Sequence, residues 1–413
     1  MRFSCTRPML LAALCAASGL AASSTYYPPP DSRGGWRSIK DAAQVRTETG
    51  IDIKKLDQAL EYAQRTSQHG GLLVVRHGYL VYEKYYGKCW RDSTPSAASV
   101  GKTFTSISCG IMLQEHRDQL PEGLDTKVFT EKYLPEAFPL TDPRKAEIRL
   151  GHLLAMSSGM HDGNGGTGFV KGEHVRVEPV PGLDRSVGQD LLALRAPLWT
   201  APGEGYFYSN LGTQVLSILV HSITGKRMED YIREKLADPM QFGPWGYPPP
   251  VPGAPPANTP GAGGIGVRAT DMLRFAYLLL HHGRWGEQQL IPADYLDLCA
   301  RPSRYNPHTP YSLQFTVNTD GHVAGAPRDT FYKSGAGGFG LYVVPSLDLV
   351  IWKIAGSDRQ YEWSPPSLPK NPQYDSSRDK WQPHPFDQFH DAPIEVDTGV
   401  RRTLEMVLAA VRD

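Results

Sequence analysis

The chain of 413 residues carries 43 Lys+Arg against 43 Asp+Glu, a formal net charge of zero, and is 40% hydrophobic. Such a chain lacks the basic surplus that neutralises nucleic-acid phosphates or holds an anionic membrane, and its 5 cysteines are too few for a disulfide scaffold. The apolar fraction suits a globular protein with a sizeable core over two domains or lobes, and the 41 Gly and 35 Pro point to long loops.

At the N-terminus Arg2 and Arg7 precede a stretch from Met9 to Leu20 that is apolar or small, followed by Ala21-Ala22-Ser23. This is the order of a secretory signal peptide, and its apolar run is too short to span a bilayer. Residues 1–22 are predicted as that signal, with cleavage near Ala21 to Ser24, and the remaining chain as secreted or periplasmic with no transmembrane segment. Cys5 and Cys15 would leave with it, so Cys89, Cys109 and Cys299 allow at most one internal bridge. Residues 23–46, rich in Pro, Ser and Gly, read as a linker or arm.

Apolar residues at helical spacing (Ile53, Leu56, Leu60, Ala63) predict a helix over 51–66. Two β-rich runs around His77-Gly78 predict a hairpin, and a helix follows from Ser99 to about Gln114. The middle mixes short helices with two irregular stretches, one Gly-rich (His161 to Gly168) and one Pro-rich (Phe242 to Pro260). Ala269 to His282 reads as a helix. Strands are expected at Tyr311–Asn318, Thr330–Gly335, Phe339–Val344 and Leu349–Ile354, with a last helix at Val396–Val411. Short turns between the late strands imply antiparallel pairing. The expected organisation is a sheet lobe built from 47–125 and 262–413, and a mainly helical lobe from 126–261. An irregular aromatic and Pro-rich insert falls at 357–393.

Three short motifs carry the chemistry: Ser99-Val100-Gly101-Lys102 opening a helix, then Tyr208-Ser209-Asn210, then Lys333-Ser334-Gly335 on a late strand. Ser and Lys three apart on a helix share a face, so the amine can reach the hydroxyl. Serine is a poor nucleophile until a base takes its proton, and lysine serves if burial or a neighbouring cation, such as Lys333, lowers its pKa. Tyr208 and Asn210 lie two apart and point one way on an extended segment. The phenol could shuttle the Ser99 proton, while Asn210 could orient an acyl group or the lysine, or simply cap the following helix. On the last motif Gly335 would admit a substrate backbone. The Ala336 N–H could complete an oxyanion hole with that of Ser99, and Lys333 would attract a carboxylate.

Ser-x-x-Lys, a Ser-Asp-Asn-type motif and Lys-Thr-Gly, in this order, are the signature of serine β-lactamases and penicillin-binding proteins. The chain resembles the class C β-lactamase-like, penicillin-binding-protein-like family of serine hydrolases, which includes family VIII-type carboxylesterases and D-amino-acid peptidases. Leu150 to Gly159, Ala201-Pro202-Gly203, Gly263-Gly264-Ile265 and the run from Lys333 to Val343 extend the likeness over about 50 to 355. The resemblance implies an α/β (α+β) fold of the β-lactamase/transpeptidase type, with an antiparallel sheet flanked by helices and the active site between lobes. It makes Ser99 the nucleophile, Lys102 its activating partner and Tyr208 the general acid/base. Asn210, Lys333, Ser334, Gly335 and Ala336 become substrate-binding or positioning residues. The third motif has Ser in place of Thr, and the 357–393 insert has no counterpart in the family pattern.

The function so implied is an exported serine hydrolase working through a Ser99 acyl-enzyme, an esterase or amidase on small acyl substrates. The alternatives are a β-lactamase or D-Ala-D-Ala carboxypeptidase/D-amino-acid peptidase, and a penicillin-binding or sensor protein without turnover. Expected partners are small esters, amides, β-lactams or short peptides, with no nucleic acid, cofactor or metal. Two Gly-x-Gly-x-x-Gly matches, at 261–266 and 335–340, fail as dinucleotide sites, since one follows a Pro-rich coil and the other precedes a strand. Ala155 to Gly159 lacks the first glycine of a nucleophile elbow.

Overall fold

The computed structural model describes residues 25–249, 257–362, 371, 374, 376–382 and 399–412. The expected signal segment and most of the 357–393 insert lie outside them. Six strands form one antiparallel sheet: β1 Gly70–Arg76, β2 Tyr79–Tyr86, β3 Thr316–Val317, β4 Phe331–Gly335, β5 Phe339–Val344 and β6 Leu349–Ile354. Their order is β3-β4-β5-β6-β1-β2. The late strand β6 therefore lies between β5 and the early β1, with Leu73 opposite Trp352. The β1–β2 turn puts His77 and Gly78 at φ 52° and 71°, the left-handed pair a two-residue hairpin turn demands.

Pleat alternation divides the side chains between two cores. On one face Leu72, Val74 and Ile351 meet helices α1 (Ile53–Thr66) and, at the far end of the chain, the helix Val400–Leu408. The Asp52 carboxylate caps α1 by accepting from Lys54 N–H, and Leu56, Ala59, Leu60 and Ala63 supply its buried stripe. On the other face Leu73, Val75 and Trp352 join a larger core shared with α2 (Lys102–Glu115), α3 (Asn210–Thr224) and α4 (Ala269–Leu280). Helix α2 is buried from Lys102 to Met112. Its hydroxyls are satisfied inside the protein: Ser106 Oγ donates to Leu313 O at 2.7 Å and Thr105 Oγ1 to Gly261 O at 2.7 Å.

Three local expectations differ from the structure. Of the strand expected at 311–318, only Thr316–Val317 joins the six-stranded sheet. Before it, Ser312 N–H donates to Phe315 O and Gln314 takes φ 71°, so the chain turns where β-prone residues suggested extension. The Gly-rich stretch enters a three-stranded sheet, Gly166–Val170 between Glu173–Val177 and Gly205–Tyr206. The stretch read as an arm is fastened to α4: Trp36 is buried and donates its indole N–H to Thr270 O, and Arg274 Nη1 donates to Pro28 O at 2.6 Å.

Cys89, Cys109 and Cys299 are buried free thiols, so none of the three bridges another. No helix among the described residues is long and apolar enough to cross a membrane. Nor do the described residues contain a group of three or more His, Cys, Asp or Glu arranged to hold a metal.

Candidate active site

The nucleophile candidate sits at a forced bend. Ala98 has φ 47°, and residues 98–101 make one 3-10 turn before α2 begins at Lys102. A non-glycine residue in that region is strained and persists where its surroundings over-determine it. Here Ala97 N–H donates to Ile265 O and Gly264 N–H to Ala98 O. A Cβ on Gly263 (φ 133°) would stand 2.1 Å from Ala98 O, and one on Gly335 2.6 Å from Ala97 O. Both glycines thus let backbone press on the Ser99 turn from two sides. Gly263→Ala is expected to cost about 1–3 kcal/mol through backbone strain, read by thermal and by denaturant unfolding. Wild-type values for both would sink the claim that Gly263 shapes this turn.

Lys102 is fully buried. Its Nζ donates to Asn210 Oδ1 at 2.7 Å and to Ala262 O at 2.6 Å, and lies 3.2 Å from Ser99 Oγ. Desolvation, then the charge of Lys333, hold its pKa well below the usual lysine value, while Asp162 pulls the other way. A neutral amine has two N–H bonds and one lone pair in tetrahedral array. In the neutral form, with the two N–H bonds taken by Asn210 Oδ1 and Ala262 O, the direction left for the lone pair would be that of Ser99 Oγ, an arrangement that suits a general base.

Asn210 opens α3, which Ser209 Oγ caps by accepting from Gly212 N–H. A second cap comes from Asp162. Its carboxylate accepts from Asn210 N at 2.6 Å, Leu211 N at 3.0 Å and Asn210 Nδ2 at 3.1 Å. The last contact fixes the side-chain amide with its oxygen toward Lys102. Capping and lysine positioning are therefore one arrangement. Asp162 is itself held by a turn in which Gly163 N–H donates to His161 Nδ1 and His161 Nε2 meets Glu178 O.

Phe331, Lys333 and Gly335 share the face of β4 that meets the Ser99 turn, and alternation turns Ser334 the other way. Lys333 is buried, its Nζ donating to Tyr311 OH at 2.7 Å. The Tyr208 ring centroid lies close to both lysines, 4.7 Å from Lys102 Nζ and 4.9 Å from Lys333 Nζ. Ala336 is exposed in the turn after β4, where Gly338 N–H donates to Gly335 O. Ser99, Lys102, Tyr208, Asn210 and Lys333 thus come together. Asp162, Tyr311 and the Ala262 carbonyl join them without having been picked out from sequence. Asp162 stood in a stretch read as irregular, and a backbone carbonyl has no sequence signature.

A six-stranded antiparallel sheet under helices, with Ser-x-x-Lys, Tyr-x-Asn and Lys-Ser-Gly converging, defines the β-lactamase-like and penicillin-binding-protein-like fold of hydrolases. The chain matches the Beta-lactamase family over residues 56–355 and belongs to it. Solved structures agree on the fold. A protein assigned as a beta-lactamase from Bacteroides dorei aligns at 20% identity over 74% of this chain and 91% of that one, TM-score 0.57. EstCE1, a hydrolase with promiscuous acyltransferase activity, aligns at 16% identity over 74% and 96%, TM-score 0.56. The octameric penicillin-binding protein homologue from Pyrococcus abyssi aligns at 18% identity over 76% and 75%, TM-score 0.54. No curated protein matches.

Proposed function

We propose that the chain is an exported serine hydrolase that forms an acyl-enzyme at Ser99, with small neutral esters and amides as substrates. The observation that carries this reading is the buried Lys102 amine, held by Asn210 and Ala262 with its third direction toward Ser99. Ser99 Oγ attacks the acyl carbon as its proton passes to Lys102 Nζ. The backbone N–H groups of Ser99 and Ala336 receive the developing oxyanion. Tyr208, whose ring lies near both Lys102 and Lys333 Nζ, passes a proton to the leaving group and then draws one from the water that releases the acyl group, while Lys102 returns its proton to Ser99 Oγ. Export rests on the sequence pattern of residues 1–22, and N-terminal sequencing of the protein recovered outside the cytoplasm tests it.

Support for neutral substrates comes from Lys333. Its ammonium is buried against Tyr311 OH and the Tyr208 ring, rather than exposed to meet a substrate carboxylate. A chromogenic short-chain ester should therefore exceed both a chromogenic cephalosporin and a D-Ala-D-Ala peptide in kcat/KM, by about tenfold or more, which is about 1.4 kcal/mol of transition-state preference. Faster hydrolysis of either carboxylate-bearing substrate would overturn the substrate assignment. A penicilloyl adduct that persists by intact mass, with no ester turnover, would replace it with a binding role.

A further inference from the structure

We infer that Gln214, backed by Asp190, is a positioning residue for the general base, holding the segment whose Ala262 carbonyl steers the Lys102 amine. The inference rests on the reading above that Lys102 activates Ser99. Residues 258–262 lie in no strand or helix, yet side chains from α2, α3 and Asp190 hold them at several points. Gln214 lies one helical turn beyond Asn210 on α3 and is fully buried. Its Oε1 accepts from Gly261 N–H at 2.8 Å, and its Nε2 donates to Asp190 Oδ1 at 2.7 Å. The other Asp190 oxygen accepts from Asn258 N at 2.7 Å and Asn258 Nδ2 at 3.0 Å. Thr105, one turn past Lys102 on α2, donates to Gly261 O at 2.7 Å. Lys102 itself takes the next carbonyl, Ala262 O.

Both acceptors of the Lys102 amine are thus fixed from behind by a carboxylate. Asp162 orients Asn210 directly. Asp190 acts through Gln214 and the Gly261 amide on Ala262. A buried amide that spans a carboxylate and a backbone N–H has its oxygen and nitrogen assigned by those partners, and charge-assisted bonds to Asp190 make the arrangement stiff. If Ala262 O drifts, the amine keeps only one fixed acceptor and its lone pair is no longer aimed at Ser99. Misplacement of about 1 Å at a catalytic group can cost about a hundredfold in rate.

The test uses the full chain and the chromogenic ester. Gln214→Glu sets a carboxyl against Asp190, and kcat is expected to fall about tenfold or more with KM within about twofold. Labelling of Ser99 by a fluorophosphonate should slow in parallel. The double variant Gln214→Glu/Asp190→Asn exchanges donor and acceptor ends and restores a single negative charge, so it should recover most of kcat. A merely structural role would instead lower thermal stability and the fraction of protein labelled at Ser99, leaving kcat per labelled site unchanged. Should Gln214→Glu not fold, Gln214→Asn, one carbon too short to span Asp190 and Gly261, faces the same kcat criterion. A folded single variant with wild-type kcat, or a folded double variant as slow as the single, overturns the inference. Ser99→Ala in parallel separates the two claims. Wild-type turnover without the Ser99 hydroxyl removes the acyl-enzyme reading, whereas an inactive Ser99→Ala beside a fully active Gln214→Glu removes only the Gln214 relay.

Discussion

Ser99→Ala is expected to lower kcat for the chromogenic ester by at least about a thousandfold, since removing the proposed nucleophile would leave only binding and oxyanion stabilisation. The fold should survive. Ser99 is half-buried at the start of the turn, and its side chain contributes one contact to Lys102 at 3.2 Å, while Ala97, Ala98 and Gly264 fix the bend through backbone bonds. Wild-type thermal stability with lost turnover is the expected pair of results. A fluorophosphonate should label the wild-type protein on the peptide containing Ser99 and leave the variant unlabelled. Labelling elsewhere, for instance at the buried Ser157, would move the nucleophile and with it the whole assignment.

Lys102→Ala should cost about a hundred- to ten-thousandfold in kcat, the usual range for a positioned general base. Its more telling signature is in pH. If Lys102 is the base, only its neutral amine accepts the Ser99 proton, so kcat/KM should rise as pH climbs through the Lys102 pKa. Burial depresses that pKa most and the Lys333 charge next, whereas Asp162 raises it. Lys333→Met removes a cation, makes the Lys102 amine more basic and should move the acid limb to higher pH. Asp162→Asn removes an anion and should move the limb to lower pH, while its amide oxygen can still cap α3. Opposite displacements identify Lys102 as the titrating base. Limbs that stay fixed in both variants, with Lys102→Ala still active, would give the role to Tyr208.

Much of the fold was legible because the signals are local. The apolar spacing of Leu56, Leu60 and Ala63, and the β-rich runs around His77-Gly78, at Phe339–Val344 and at Leu349–Ile354, each specify an element from its own residues. The motifs were legible because Ser99 and Lys102 are one helical turn apart, and Tyr208 and Asn210 two residues apart. What escaped depends on chain crossings. Nothing in the sequence brings Asp162 to the first amides of α3, Tyr311 to Lys333, or the 258–262 segment between α2 and α3. The Gly-rich stretch escaped for another reason. Its glycines weaken β propensity, and Gly166–Val170 pairs on both sides through backbone bonds to Glu173–Val177 and Gly205–Tyr206, with no periodic side-chain pattern to announce it.

The position of β6 between β5 and β1 bears on when reactivity appears in the life of a molecule. That pairing joins residues from opposite ends of the sequence, a connection of high contact order that forms slowly. Until it closes, the Lys-Ser-Gly strand has no place beside the Ser99 turn, and Lys102 stands in water as an ordinary ammonium. If Lys102 activates Ser99 as proposed, a chain still on the ribosome, or held unfolded, would carry an unactivated serine. On the reading proposed above, acylation of Ser99 by substrate would begin only once the sheet is complete.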